Sequence, residues 1–171
     1  TLELAKTIYE LKQLKHLRVI VYIDGNAWGP AAIFPFLADE IYSSISASWG
    51  DIPLGTDEAL PSNILRNKVR GLIDPKSPQL ALMNALADSM SDPSFQLVNA
   101  QGWKSIADAK STEGKLYSIA GQTLVLNQNQ LREIGLVKQS LTTESFERLW
   151  GGHFEQPLSE EETDRGLQIT L

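Results

Sequence analysis

Cysteine is missing from this sequence of 171 residues, and histidine occurs only twice. Without cysteine the chain forms no disulfide bond, no zinc site built on thiolates and no thiol nucleophile. His16 and His153 lie far apart in the chain, so a metal site built on imidazole ligands is not expected. Neither a G-x-G-x-x-G motif nor a P-loop occurs, and we predict no cofactor.

Long apolar runs and an excess of basic residues are also missing. No apolar stretch reaches the roughly 18–20 residues that a membrane-spanning helix needs, and the first residues suggest an amphipathic helix rather than a signal peptide. The chain has 15 basic and 21 acidic residues, a net charge of −6, which argues against nucleic-acid binding. We therefore expect a soluble piece, which could still belong to a longer membrane protein.

An α/β domain is the fold class that the hydrophobic pattern predicts. The apolar content of 42% suits a single domain, which we place over residues 1–152, followed by an acidic tail over residues 153–171. Residues 18–23 (RVIVYI) are almost continuously apolar and β-branched, as in a strand buried on both faces of a parallel sheet. Helical and strand patterns alternate along the rest of the chain.

The remaining elements follow from periodicity and from turn residues. Residues 102–114 are polar and are expected to form a loop, whereas 116–119 and 123–126 are expected to form a hairpin. Asn127 is a suitable N-cap and Gly135 a suitable helix terminator. Helices are predicted over 1–15, 27–37, 61–73, 80–90, 127–134 and 145–150, and strands over 18–23, 40–44, 95–98 and 136–138.

The segment 18–55 carries a motif of more than local meaning. A buried strand is followed by a glycine turn, a small apolar helix, the run A-D-E-I at 38–41 and a serine- and glycine-containing loop. This order resembles the core signature of the Clp-protease/crotonase superfamily. The positions that match that signature are Gly25, Ala27, Ala38, Asp39, Glu40, Ile41, Ser48 and Gly50.

A second segment, 121–137, resembles the closing element of the same superfamily. It departs from the family pattern at Gln130-Leu131, where a Glu-Ala pair is expected, and at Lys138, where an acid is expected. The matching positions are Leu126, Asn127, Leu131, Gly135 and Leu136. The two segments bracket about four-fifths of the chain, so the resemblance implies a fold of stacked parallel strands flanked by helices.

The middle of the chain favours one branch of the superfamily. Residues 76–83 (KSPQLALM) resemble an element of the longer NfeD-type proteins, which with signal-peptide-peptidase A form a group of membrane-associated serine peptidases. The crotonase branch, whose members act on acyl-CoA thioesters, stays open as an alternative because Gly29 suits its oxyanion loop.

The resemblance implies a serine at the start of the first buried helix and a lysine as its general base. The serine position is occupied by Gly29, which has no nucleophile. Lys68 is the candidate base. An alignment from the C-terminal end of the helix instead places the family lysine nearer Leu60. The alternative for Lys68 is a solvated lysine on the helix surface. A Gly-Gly turn that supplies oxyanion amides would precede the chain in its relatives.

Trp28, Pro30 and Trp49 flank the position of the missing serine. The two tryptophans are expected to pack into the core or a subunit interface, and all three residues are kept as binding candidates that would line an apolar peptide groove. Asp39 and Glu40 are expected to have structural roles. Ser48 is expected to stabilise a turn. Asp51, Asp57 and Glu58 are expected to belong to a solvated acidic loop rather than to a cation site; the last two lie outside the residues that the structure describes.

We therefore predict a catalytically degenerate peptidase domain that serves in peptide binding or assembly. The resemblance further implies a homo-oligomer, association with membranes and a partner that is an apolar segment of a membrane protein, such as a stomatin. Two alternatives remain: an active Ser-Lys peptidase whose serine was replaced, and a crotonase-like acyl-CoA hydratase or isomerase.

Overall fold

The computed structural model describes residues 1–53, 60–107 and 114–150. The predicted tail over residues 153–171 lies outside the described residues. The helices are α1 Leu2–Lys15, a 3₁₀ helix Gly29–Leu37, α2 Ser62–Arg70, α3 Leu80–Ser91, α4 Gln128–Glu133 and α5 Thr143–Trp150. The strands are β1 Ile20–Ile23, β2 Asn26–Trp28, β3 Glu40–Ser43, β4 Ser48–Gly50, β5 Gln96–Asn99, β6 Trp103–Ile106, β7 Lys115–Leu116, β8 Val125–Asn127 and β9 Val137–Ser140.

The first sheet is parallel and has the order β1-β3-β9. Val21 of β1 lies opposite Ile41 of β3, and Ile41 in turn lies opposite Val137 of β9. All four residues of β3 are buried, as a strand covered on both faces requires. The predicted α/β class is therefore confirmed, with helices packed around small parallel and mixed sheets.

A second sheet has the order β2-β4-β8, and two of its strands continue directly from strands of the first sheet. β1 passes through Asp24 and Gly25 into β2, and β3 passes through residues 44–47 into β4. β2 and β4 pair in parallel, while β8 joins β4 in the antiparallel direction. The chain thus stacks one strand–corner–strand unit directly on another.

The third sheet corrects two of the sequence predictions. Lys115–Leu116 pairs with β5 and Val125–Asn127 pairs with β4, so the predicted hairpin between 116–119 and 123–126 is wrong. The predicted loop over 102–114 contains β6, which pairs with β5 in the antiparallel direction. Long-range packing determines which strands pair, and the local alternation of residues and the turn residues carry no information about it.

The segment predicted as a buried helix over 27–37 divides into β2 and the 3₁₀ helix. Seven of the nine residues in this helix are buried. Pro30 sits in its first turn, where no amide partner is needed, but Pro35 removes an amide donor inside the helix. The backbone therefore closes short turns, ending with the amide of Ala38 on the carbonyl of Pro35 at 3.2 Å.

The main core lies between this helix, the first two sheets and helices α1 to α3. Trp49 and Leu86 are fully buried there, and each buried side chain of this size contributes roughly 1.5–3 kcal/mol through loss of water contact. A smaller cluster lies apart, where α5 packs Phe146 against Tyr22 and Tyr42. The rings of Tyr22 and Phe146 stack with centroids 4.5 Å apart.

Helix α4 begins with a reciprocal capping box. The side chain of Asn127 accepts from the amide of Gln130 at 3.0 Å, and the side chain of Gln130 accepts from the amide of Asn127 at 2.9 Å. Gly135 follows the helix with a φ of 74°, and the amide of Leu136 closes back on the carbonyl of Leu131 at 3.2 Å. The predictions for Asn127 and Gly135 are confirmed.

Within the described residues, no helix combines the length and the apolar content that crossing a membrane requires.

The acidic pair Asp39-Glu40 ties elements together, as expected for structural residues. Asp39 accepts from the amide of Val19 at 2.8 Å and pairs with the buried Lys12 at 2.7 Å. Lys12 also donates to the carbonyl of Leu37 at 2.8 Å, which joins α1 to the end of the 3₁₀ helix. Each charge is therefore satisfied where it is removed from water.

Glu40 is buried between two cations. It pairs with Lys138 at 2.6 Å and with Arg18, and it accepts from the hydroxyl of Tyr42 at 2.9 Å. The hydrogen bond from Lys138 is the largest cause that lowers the pKa of Glu40 to about 2, with Arg18 and Tyr42 adding to it against the opposing effect of burial. The ionised carboxylate on β3 thus binds Arg18, which precedes β1, and Lys138 on β9, and so ties together the three strands of the parallel sheet.

This cluster predicts how the stability of the protein depends on pH. The pKa of Glu40 is about 2 in the folded chain and 4.5 when unperturbed, so its contribution is complete above pH 4.5 and is lost as the pH falls towards 2. Glu40→Gln should lower the free energy of unfolding at neutral pH by roughly 1–3 kcal/mol. The Glu40→Gln variant should also lose less stability on acidification than the unsubstituted protein does.

Chemical denaturation at several pH values measures both effects. Glu147→Gln, at an exposed position on α5, is the matched control and should leave the acid dependence unchanged. Equal acid dependence in Glu40→Gln and the unsubstituted protein would contradict the prediction.

Gly25 and Gly50, both in the segment 18–55, are glycine for different structural reasons. Gly25 turns the first corner with a φ of 82°, and a Cβ there would meet nothing within 4 Å. Gly50 has a φ of 152°, and a Cβ there would lie 2.1 Å from the carbonyl oxygen of Leu124 and 2.7 Å from the Cα of Val125. Of these two positions, only Gly50 lies so close to neighbouring backbone that a side chain is excluded.

The two alanine substitutions should therefore differ in cost. Gly25→Ala should lose about 1–2 kcal/mol of unfolding free energy, since it introduces backbone strain alone. Gly50→Ala should lose more than about 3 kcal/mol or fail to fold, because the second sheet must open to admit the Cβ. Thermal and urea unfolding compare the pair, and a Gly50→Ala variant as stable as Gly25→Ala would refute the close approach.

Candidate functional site

Gly29, the position at which the resemblance places a serine, lies where β2 runs into the 3₁₀ helix. Trp28 has an extended backbone (φ −114°, ψ 164°), whereas Gly29 has a left-handed φ of 57°. This reversal sends the chain directly from the strand into a buried helix. Gly29 is itself buried and carries no side chain, so the sharp turn presents no nucleophile.

The backbone amides at this turn are also committed elsewhere. The amide of Gly29 donates to the carbonyl of Asp51 at 3.0 Å, and Pro30 has no amide hydrogen. An oxyanion site needs such donors to be free and aimed at the developing charge. The first two residues of the helix therefore supply no donor for an oxyanion or for a thioester carbonyl.

Asp51 is the residue that holds this turn. Its own amide donates to the carbonyl of Leu124 at 3.0 Å, and its carboxylate accepts from the hydroxyl of Thr123 at 2.6 Å. Its role is thus to join the start of the 3₁₀ helix to the segment before β8. Among the described residues, no cluster of histidine or acidic side chains could hold a metal ion.

The serines after the helix hold the corners of the two strand–corner–strand units. Ser48 donates to the side chain of Asn26 at 2.7 Å, and the Oγ of Ser44 accepts from the amide of Gly25 at 3.3 Å. The Oγ of Ser46 lies 3.2 Å from that of Ser44. The turn-stabilising role predicted for Ser48 agrees with these contacts.

A groove of about 870 Å³ opens on the other side of Pro30. Its volume falls within the range of roughly 300–1,000 Å³ that is typical of ligand pockets. Pro30 and Lys68, two of the predicted site residues, both line it, and so does Leu60. The groove, named here the α1–α2 groove, is lined by Thr1, Leu2, Glu3, Lys6, Tyr9, Glu10, Pro30, Ile33, Leu60, Leu65, Asn67, Lys68, Gly71 and Leu72.

The charges of the α1–α2 groove lie on its rim. Lys6 and Glu10 form an exposed pair at 3.7 Å on α1. Lys68 faces them from α2, is exposed, and forms no ion pair within the described residues. The rim also carries Glu3, so its lysine and glutamate side chains balance in charge. A negative charge on an apolar ligand is therefore favoured beside Lys68 rather than along the whole rim.

Trp28 and Trp49 lie in different environments. Trp28 is 40% exposed at the end of β2 and does not line the groove. Trp49 is fully buried, its indole N–H donates to the carbonyl of Ala32 at 2.8 Å, and its ring packs 4.9 Å from that of Phe36. The predicted binding role of Trp49 is therefore corrected: it is a core residue with no surface for a ligand.

Sequence reasoning missed the contribution of α1 to this groove. Leu2 and Tyr9 on α1 form one wall, and their helical spacing was the available signal. It also missed a buried ionic cluster in which Asp88 of α3 binds Arg70 and Ser105 and lies 3.6 Å from Arg66. This cluster ties α2, α3 and β6 together.

Comparison of the chain with protein-family models, with curated proteins and with solved structures gives no match.

The geometry predicts the outcome of restoring the hydroxyl. Gly29→Ser should lose about 1–2 kcal/mol of stability because of its left-handed backbone. It should remain unlabelled by a serine-directed phosphonate, because the Gly29 amide is held by Asp51 and Pro30 offers none. Mass spectrometry of the treated protein checks this, with Gly25→Ser as the control for the left-handed backbone. Covalent labelling of Gly29→Ser alone would show that only the nucleophile is lacking.

Proposed function

We propose that this chain is a Clp-protease/crotonase-like domain of the NfeD and signal-peptide-peptidase A type that binds an apolar polypeptide segment without cleaving it. The observation that carries the proposal is the turn at Gly29, where the nucleophile is missing and the amide of Gly29 is already bound to the carbonyl of Asp51. The role left to such a domain is binding.

The stacking of the strands supports this fold. Each of the first two parallel strands leads through a corner into a short strand of the second sheet, and a helix follows in sequence. A buried strand, a glycine corner and a buried helix are the arrangement that the motif at 18–55 implies. The capping box at Asn127 adds a reason for Gln130, since an amide at that position replaces the family glutamate in the same hydrogen bond.

The α1–α2 groove supports the binding role and indicates the ligand. Its floor is built from apolar residues, and Pro30 connects it to the turn at Gly29. Lys68 is exposed at its rim, so a carboxylate on the ligand gains a charge partner there. We therefore propose an apolar peptide with a free C-terminal carboxylate, such as the end of a stomatin-like membrane protein.

The two alternative activities find less support at the same turn. A Ser-Lys peptidase with a replaced serine needs an oxyanion donor, and a crotonase-like enzyme needs backbone amides on a thioester carbonyl. The bond between Gly29 and Asp51, together with Pro30, removes these donors from the start of the helix.

We also propose that the domain forms a homo-oligomer and associates with membranes through its ligand. Three leucines of α1 support the first point because they are exposed on its outer surface, with Leu14 at 78%. Such apolar surface is typical of subunit contacts. The three are Leu4, Leu11 and Leu14.

Blocking the groove tests the proposed binding site. Gly71 is exposed in the groove, and a Cβ there would make ordinary contacts of 3.4 and 3.5 Å with α2, so Gly71→Trp should fold and fill the space. We expect it to weaken binding of a fluorescein-labelled apolar C-terminal peptide by about tenfold or more. Asn63→Trp, on α2 outside the groove, is the matched control and should bind normally.

The charge requirement is tested in the same fluorescence anisotropy assay. Lys68→Ala should weaken binding of the free-acid peptide and leave its C-terminal amide unaffected, whereas Lys104→Ala on β6 should affect neither. Cleavage products in any of these mixtures would contradict the proposed lack of activity, and equal binding by Gly71→Trp and Asn63→Trp would place the peptide elsewhere.

A further inference from the structure

Helix α2 forms one wall of the α1–α2 groove, but its apolar contacts alone do not fix its rotation. The buried residues within the helix are Leu65 and Val69, which lie one turn apart along a single line. Apolar contact is not directional, so a helix that rests on such a line can rotate about it with little loss of burial. A directional contact beside this line is therefore needed to fix the side that faces the groove.

Asp88 of α3 supplies this directional contact. Its side chain is only 2% exposed, binds Arg70 and lies 3.6 Å from the Nε of Arg66. These two arginines are one turn apart on the flank of α2 beside the buried line. Lys68 and Gly71, which line the groove, lie on the other flank of the same helix.

Arg66 is fixed on a second side as well. Its guanidinium group reaches the carboxylate of Asp92 at 3.5 Å and lies 4.5 Å from the centre of the Phe95 ring. A planar guanidinium group that pairs with two carboxylates and stacks on a ring has a defined orientation. The helix that carries it is therefore held in rotation as well as in position.

The part of α3 that carries Asp88 is a fixed base. All residues from 85 to 91 are buried. The carbonyl of Ser89 accepts from the amide of Leu124 at 2.8 Å, and the carbonyl of Met90 accepts from the amide of Ile52 at 3.0 Å. Since these bonds attach α3 to the segments after β4 and before β8, it is α2 that adjusts to the buried carboxylate.

We infer that Asp88 is a positioning residue for the α1–α2 groove: through Arg66 and Arg70 it sets the rotation of α2 and so holds Lys68 at the rim. The inference rests on the proposed function, because it takes Lys68 as the partner of the C-terminal carboxylate of the ligand. Buried ion pairs add little net stability, and their best-attested role is to select one arrangement among several that pack equally well. Asp88 therefore governs selectivity for the charged end of the ligand more than affinity for its apolar part.

The ratio of the affinities for the free-acid and amide forms of the apolar peptide tests this role. Asp88→Asn keeps the shape of the side chain and an acceptor for the hydroxyl of Ser105, but it loses the charge that holds the arginines. We expect the ratio to fall at least about threefold, with a smaller change for the amide peptide alone. In the Lys68→Ala protein the same substitution should not lower the ratio further, because the residue that it positions is gone.

Variants of Arg70 test the same contact from the other side. Arg70 is 42% exposed, so its replacement leaves the core intact. Arg70→Gln should lower the ratio, and Arg70→Lys, which keeps the charge, should restore part of it. Should Asp88→Asn fail to fold, Arg70→Gln decides alone.

A general loss of stability is separated from positioning by Phe146→Leu, a change in the small cluster under α5 that touches neither α2 nor α3. It should leave the ratio unchanged. If Asp88→Asn weakens both forms of the peptide equally, or if Arg70→Gln leaves the ratio unchanged, the inference is overturned.

The placement of α2 is also measured without any peptide. The chain has no cysteine, so Gln13→Cys on α1 and Asn63→Cys on α2, both at exposed positions, carry spin labels at two defined places. We expect Asp88→Asn to shift or broaden the distribution of distances between the labels, and an unchanged distribution would overturn the inference. A shifted distribution in a protein that binds neither peptide would refute the proposed function alone and would support the control of α2 by Asp88.

Discussion

The hydrogen bond between the amide of Gly29 and the carbonyl of Asp51 joins the two stacked units of this chain. It fixes the end of β2 against the end of β4, and through Leu124 and Thr123 it draws in the segment before β8. The buried 3₁₀ helix begins at this bond. One backbone contact therefore sets the relation between the strands, the helix and the groove that lies beyond Pro30.

The sequence was sufficient for elements whose local signal is strong. Continuous β-branched residues identified β1, Asn127 as a suitable N-cap identified the start of α4, and helical spacing identified α1 and α3. It was insufficient for β6, whose residues Trp-Lys-Ser-Ile do not alternate clearly, and for β7 and β8, which look like neighbours yet join different sheets. In each of these cases the partner strand, rather than the strand itself, decides the structure.

The candidate site, like the fold, could be predicted only in part from the sequence. That Gly29 lacks a nucleophile is visible in the sequence, but the use of its amide by Asp51 depends on a contact across 22 positions of the chain. The packing of α2 likewise decides that Pro30 and Lys68 line the same groove. Trp49 lies in the core, where its indole N–H donates to the carbonyl of Ala32. Residue types indicate which chemistry is missing, whereas packing decides which surfaces are left for binding.

The buried ammonium group of Lys12 has a consequence for the groove. It holds α1 to the end of the 3₁₀ helix through the carbonyl of Leu37 and the carboxylate of Asp39, so any movement of α1 away from this helix must break both interactions. The wall that α1 contributes is thus locked at a set width. If the groove binds a peptide as proposed, the peptide must fit the existing width, so the groove selects its ligand by shape and changes little on binding.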